Sequence, residues 1–198
     1  MPASIRRAEP GEAAALAALG ARLFREAYEP THPEPTLSRY LAAAFSPESM
    51  ARRLADPGAT LLVVEGEPGA YRAYAHLREA GPEDVTTVLD RPLPGARPLE
   101  IVRFYVDARW HGDGTASALM DACDTEARAR GCDLLWLQAW QLAGRALAFY
   151  AKMGFERVGT AVFPFGERLD ADFVLARCTR AAPARTAAPT QERESLQR

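Results

Sequence analysis

Leu99-Glu100-Ile101-Val102-Arg103-Phe104-Tyr105-Val106 leads through Asp107 and Ala108 into Arg109-Trp110-His111-Gly112-Asp113-Gly114-Thr115-Ala116, and then into a stretch of helical spacing. The order is strand, glycine-containing turn, helix start. Glycines at 112 and 114 let the chain take positive φ and let a ligand approach the backbone with no Cβ in the way. The N–H groups of such a turn converge with the unpaired donors at the start of the following helix, a setting that favours a phosphate or pyrophosphate. The same turn also serves as a tight strand-to-helix connection with no ligand, so the rest of the chain has to decide between the two.

Length and charge narrow the classes first. At 198 residues with 48% hydrophobic content, the chain has the size and composition of one ordinary globular domain, expected over 1–180. The 24 basic and 26 acidic residues are mixed along the chain and leave a net charge of −2, so no global field draws nucleic acid or an acidic membrane surface. Cys123, Cys132 and Cys178 have neither disulfide-like nor metal-ligand spacing, which predicts free thiols, a cytoplasmic setting and no metal. No stretch approaches the ~20 apolar residues that span a bilayer, and the segment Met1 to Arg7 lacks the apolar core of a signal peptide.

Residues 4–8 read as a short strand, followed by a helix with Pro10 in its first turn and Leu16, Leu19, Leu23 and Phe24 at helical spacing. A second helical region holds Leu37, Tyr40, Leu41 and Phe45, with a restart at Ser46-Pro47-Glu48. The stretches 59–65 and 70–79 flank Gly66-Glu67-Pro68-Gly69 as a hairpin, and 80–98 reads as a long connection. Strands are expected near 155–163 and 170–177, joined at Gly166-Glu167-Arg168-Leu169, and the tail 181–198 reads as disordered.

Downstream, Leu134-Leu135-Trp136-Leu137-Gln138-Ala139-Trp140 is a second buried strand, and Gly144 to Phe155 is a helix closed by Gly154. With Arg-x-x-Gly-x-Gly at 109 to 114 and Arg-Ala-x-Ala-Phe-Tyr-x-Lys-x-Gly-Phe at 145 to 155, the chain resembles the Gcn5-related N-acetyltransferase (GNAT) superfamily from Ile5 to about Arg177. The resemblance implies an α/β (α+β) fold. Its central sheet would be mixed and mostly antiparallel, about six to seven strands splayed between the fourth and fifth, with about four flanking helices. It also implies acetyl-CoA as co-substrate. The acetyl-CoA would lie between 99–106 and 133–140, with backbone groups of Phe104, Tyr105 and Val106 on the pantetheine arm. Arg109, His111, Gly112, Asp113, Gly114 and Thr115 would surround the pyrophosphate, and Ala143 and Arg145 would line the start of the last helix.

Tyr150 matches the family tyrosine credited with protonating the CoA thiolate; the alternative is a core aromatic beside Phe149. Glu100 stands where some members carry a catalytic base, needed because an alkyl amine of pKa ~10.4 is nearly all ammonium at neutral pH. Otherwise it faces solvent or pairs with Arg103. An oxyanion would be held by a backbone N–H near Tyr105 or Val106. Three positions depart from the family pattern: Asp113 puts a carboxylate beside the pyrophosphate, and must point outward or repel it. Ala143 replaces a frequent asparagine, and His111 a frequent Arg or Lys. His111, His32 and His76 all read as surface residues.

The stretches around Trp136, Trp140, Val158 and Phe163 are similar to a branch that includes polyamine (spermidine and spermine) N-acetyltransferases. Glu26, Glu29 and Glu34 could then receive a polycation, or be solvated surface charges. The expected activity is acetylation of a small-molecule primary amine, and a homodimer is compatible with it. A non-catalytic acyl-CoA binding or sensing module and a peptide or protein N-acetyltransferase are the alternatives.

Overall fold

The computed structural model describes residues 4–67, 70–83 and 86–180. The expected tail 181–198 and the hairpin tip at 68–69 lie outside these. Among the described residues eight strands form one sheet: β1 Ile5–Arg7, β2 Ala59–Glu65, β3 Tyr71–Arg78, β4 Thr87–Leu89, β5 Pro98–Val106, β6 Leu134–Trp140, β7 Glu156–Phe165 and β8 Arg168–Cys178. Their spatial order is β1-β2-β3-β5-β6-β8-β7-β4. Five helices flank it: α1 Ala13–Tyr28, α2 Thr36–Ala44, α3 Pro47–Ala55, α4 Thr115–Ala129 and α5 Gly144–Lys152.

The extra strand is β4, which comes out of the stretch read as a plain connection. It lies antiparallel on β7, with Thr87 opposite Ala161 and Leu89 opposite Gly159. Gly159 makes that approach feasible, because a Cβ there would come within 2.3 Å of the Val88 carbonyl oxygen. The second helical region, with its restart, is the two helices α2 and α3, and the restart behaves as its chemistry dictates. The Ser46 side chain accepts the Ser49 N–H at 3.1 Å while Pro47 takes the first helical position, where no N–H is needed.

Alternation along the strands splits the core in two. One face of the sheet packs Leu62, Ala75, Leu77, Leu99, Ile101, Leu135 and Leu137 against Leu119, Met120 and Cys123 of α4 and against Tyr150 of α5. The other packs Leu61, Val63 and Tyr74 against Leu16, Leu19 and Leu23 of α1 and Met50 of α3. Arg177 on β8 reaches Asp124 on α4 through two hydrogen bonds, at 2.9 and 2.7 Å, both partners being buried.

Every neighbouring pair of strands is antiparallel except β5 and β6. That parallel ladder is short, running only from Pro98↔Leu134 to Glu100↔Trp136. Beyond it the two strands part. Leu99, Glu100 and Ile101 are buried while β5 has two neighbours, and Val102 to Val106 are only half-buried once β6 has left.

Candidate active site

The parting of β5 from β6 leaves one edge of each strand without a backbone partner, and the hydrogen-bond pattern of β5 says which groups are involved. Asp107 N donates to Arg72 O at 2.9 Å, and Tyr105 lies opposite Tyr74 two residues back. In an antiparallel ladder the residues that exchange bonds alternate with those that do not. Asp107 and Tyr105 are therefore turned to β3, and the N–H and C=O groups of Phe104 and Val106 are turned toward the gap. The Val106 carbonyl is met there by His111 Nε2 at 3.0 Å. Of the three residues expected to offer backbone to a pantetheine arm, Tyr105 thus has its backbone in the ladder.

The turn after β5 adopts the backbone its glycines suggested. Gly112 has φ 86° and Gly114 φ 95°, and a Cβ at either would meet nothing within 4 Å, so both face open space. Gly114 is also the cap of α4. Asp113 is exposed but not idle, because its Oδ1 accepts the Thr115 N–H at 2.9 Å and that bond holds its carboxyl below the usual range. One donor of the cradle is thereby occupied by the chain itself. Arg109 is also engaged: Asp107 takes its Nε and Nη2 at 3.0 and 2.9 Å, and takes Arg22 of α1 at 2.6 Å. Arg145 and Ala143 stand at the start of α5, where Ala143 makes no side-chain cap bond.

Tyr150 is buried at the end of α5, within ring contact of Phe104, Phe149 and Phe155. Burial pushes its phenol up, and Tyr105, which comes from the opposite face of the sheet, pushes it further. The two tyrosines therefore approach each other where the strands part. Burial likewise pushes Tyr105 up to about 12.

Glu100 occupies the last paired position before the parting and is 8% exposed, not on a solvent face. Arg78 of the neighbouring β3 donates from Nε to its Oε2 at 3.0 Å. Arg103 lies over the Phe45 ring at 4.6 Å. Glu26 pairs with Arg22, and Glu29 and Glu34 both pair with Arg25, so these three carboxylates already hold cations on the outer side of the α1 region.

Two histidines expected at the surface are inside. His32, 2% exposed, directs Nε2 to Asp170 Oδ2 at 2.6 Å, and its ring stands edge-on to Phe165 and Trp140. His76 is buried on β3 and pushed down to about 3, first by burial and then by Arg53, Arg103 and Arg78. Only His111 is exposed. His32 was misread because its partner is 138 residues away.

Of the rings gathered beside the gap, Phe24, Tyr40 and Trp140 figure in the sequence reading and Tyr28 does not. Phe24, Tyr28 and Tyr40 stack in series, and Tyr28 lies 5.7 Å from Trp140 between ring centroids. Asp172 was also missed, although it carried a signal. On β8 the positions 172, 174 and 176 share one face, and a carboxylate there breaks an apolar alternation completed by Val174 and Ala176. Among the described residues, no group of three or more His, Cys, Asp or Glu is placed to hold a metal, and no helix is long and apolar enough to cross a membrane.

Comparison with known proteins agrees with this geometry. Residues 57–157 match the family described as Acetyltransferase (GNAT) domain. An uncharacterized N-acetyltransferase of Mycobacterium tuberculosis is 31% identical over 162 residues, covering 82% of this chain and 94% of that protein. In fold, the chain is similar to a PaiA N-acetyltransferase of Thermoplasma acidophilum solved with coenzyme A, with a TM-score of 0.69 at 13% identity over 90% of this chain and 99% of that one. It is also similar to a GCN5-related N-acetyltransferase of Rhodopseudomonas palustris, with a TM-score of 0.66 at 21% identity over 90% and 96% of the two chains.

Proposed function

The chain belongs to the GNAT family of N-acetyltransferases, and from that footing we propose that it moves the acetyl group of acetyl-CoA to the primary amine of a small molecule. The observation that carries this reading is the parting of β5 from β6 after Glu100↔Trp136, directly upstream of a turn with two positive-φ glycines. The parting supplies unpaired strand edge for an extended pantetheine arm, and the turn supplies N–H groups for the pyrophosphate.

In this reading the thioester carbonyl takes its hydrogen bond from a gap-facing N–H, that of Val106 or Phe104. The acceptor amine loses a proton to Glu100, directly or through water, and attacks the carbonyl carbon. The tetrahedral intermediate collapses, the C–S bond breaks, and Tyr150 gives its phenolic proton to the departing thiolate. A phenol raised by burial stays protonated at neutral pH, which is the state an acid must start from. The N-terminal helices, through Tyr28 and Tyr40, form the acceptor wall. A small-molecule acceptor fits that wall better than an open peptide groove does, since it is lined by stacked rings instead of free backbone. We place the reaction in the cytoplasm, consistent with three unpaired thiols, and a homodimer is compatible with it.

An acceptor screen tests the proposal. Purified protein is offered acetyl-CoA with polyamines, amino acids, aminoglycosides or peptides, and free thiol is recorded. Release of thiol with a small primary amine is the expected result, while turnover restricted to peptides would replace the small-molecule reading.

A further inference from the structure

Asp170 and Asp172 stand two residues apart on β8, on the same face of the strand, and the chain treats them oppositely. Asp170 is fully engaged: His32 Nε2 holds one oxygen at 2.6 Å and Arg168 Nε the other at 2.9 Å. Asp172 is only 7% exposed, yet its carboxylate makes no hydrogen bond or ion pair with any described residue. A buried carboxylate without a partner costs free energy, and folded proteins rarely retain one away from a site where something binds.

What surrounds Asp172 says what that something is. Its neighbour across the ladder is Trp140, the last residue of β6, at the open end of the gap. The Trp140 ring lies 5.7 Å from both Tyr28 and His32, and the Tyr28 phenol is raised first by burial and then by its charged neighbours, the Asp172 carboxylate among them. Tyr28 and Trp140 both remain partly exposed, so solvent reaches this end of the gap. An unpaired, nearly buried carboxylate beside a partly exposed tyrosine and tryptophan is a receptor for a cation. The ring faces attract positive charge by their quadrupoles, and the carboxylate completes the pairing.

That cation is not the nitrogen that becomes acetylated. A carboxylate bound to an ammonium stabilises its charged form, and the attacking amine has to be neutral. The group Asp172 holds is one that stays charged throughout. We propose that Asp172, Trp140 and Tyr28 form a subsite for a second, non-reacting cationic group of the acceptor. The substrate class is then a diamine, one nitrogen acetylated and the other held on Asp172. This rests on the acetyl-transfer reading for the fate of the first nitrogen, but the subsite itself does not. Asp172 thereby acts on specificity and takes no part in proton transfer.

The test pairs cadaverine with pentylamine, which share a five-carbon chain and differ in the second nitrogen. Binding of each is measured by calorimetry with coenzyme A present, and turnover by thiol release, for the wild type, Asp172→Asn and Asp172→Leu. The wild type should bind cadaverine at least tenfold more tightly than pentylamine. Asp172→Asn should abolish that preference through cadaverine alone, raising its KM with kcat little changed. Asp172→Leu guards against a substitution that merely unfolds the strand: with a Tm at or above that of the wild type, it should show the same loss. Cadaverine binding that depends on Asp172 with no acetylation of either amine would uphold the subsite and remove the transfer reading. Equal turnover of both amines, unaffected at Asp172, would leave transfer standing and overturn the subsite, as would no measurable cadaverine binding.

Discussion

The Asp113 carboxylate accepts the backbone N–H of Thr115 at 2.9 Å, so the start of α4 is capped by the chain at the place where a pyrophosphate would take the same donor. On the proposed reading, the incoming phosphates displace an anion from this site. Asp113→Asn retains a short acceptor for the cap and removes the charge. It should tighten acetyl-CoA binding roughly two- to fivefold at low ionic strength, and the gain should shrink as salt screens the exposed charge. Calorimetry at two salt concentrations reads both effects, and unchanged affinity would mean that the carboxylate swings clear at no cost.

Tyr150→Phe keeps the ring among Phe104, Phe149 and Phe155 and deletes only the hydroxyl. If the phenol protonates the thiolate, turnover should fall by ~10²–10⁴ with acetyl-CoA affinity nearly unchanged. Glu100→Gln should instead flatten the rise of turnover with pH. Wild-type turnover in the phenylalanine variant would assign Tyr150 to the core alone.

His76 predicts a pH dependence of stability. Its folded pKa is lowered from 6.5 to about 3, so the folded state prefers the neutral ring and the unfolded chain takes up a proton first. Its contribution is complete above pH 6.5 and is lost as the pH falls from there toward 3. Urea unfolding of His76→Leu across that range should show a shallower loss than the wild type. Parallel curves would show that other groups carry the acid sensitivity.

Asp124 and Arg177 are 3% and 6% exposed in their side chains and have been removed from water together. Taking away one partner leaves a buried charge uncompensated, so Asp124→Ala should lower unfolding free energy by about 3–5 kcal/mol. A double change that also replaces Arg177 by Met should recover part of that loss. Additive losses would show that the two side chains contribute separately.

What the sequence made legible was local. Gly112 and Gly114 announced a positive-φ turn because a strand ended just before them and a helix began just after. The Ser46-Pro47 restart and the buried stripe of Leu16, Leu19, Leu23 and Phe24 likewise follow from spacing within a few residues. Strand β4 escaped because three residues on an edge carry no periodicity, and it is specified by the absence of a side chain at Gly159, about seventy residues further on. His32 and Glu100 escaped in the same way. Their partners, Asp170 and Arg78, come from strands distant in the sequence, and nothing in either local context shows that such a partner lies within reach. Asp172 was legible in principle as a break in alternation, but that pattern reads as a polar strand end until Trp140 is seen beside it.

The short ladder between β5 and β6 has a mechanical side. Six to nine residue pairs join β2 to β3, β3 to β5, β6 to β8 and β7 to β8, against three between β5 and β6. The sheet is thus two stiff plates stitched at one end, and compliance concentrates at the stitch. On the proposed reading, a co-substrate between the free ends would be accommodated by a small rotation of one plate on the other, without bending either. Val106 and Tyr105 ride on one plate, and Trp140 and Asp172 on the other. On that reading, the angle at the stitch would set the distance between the acetyl group and the amine that receives it.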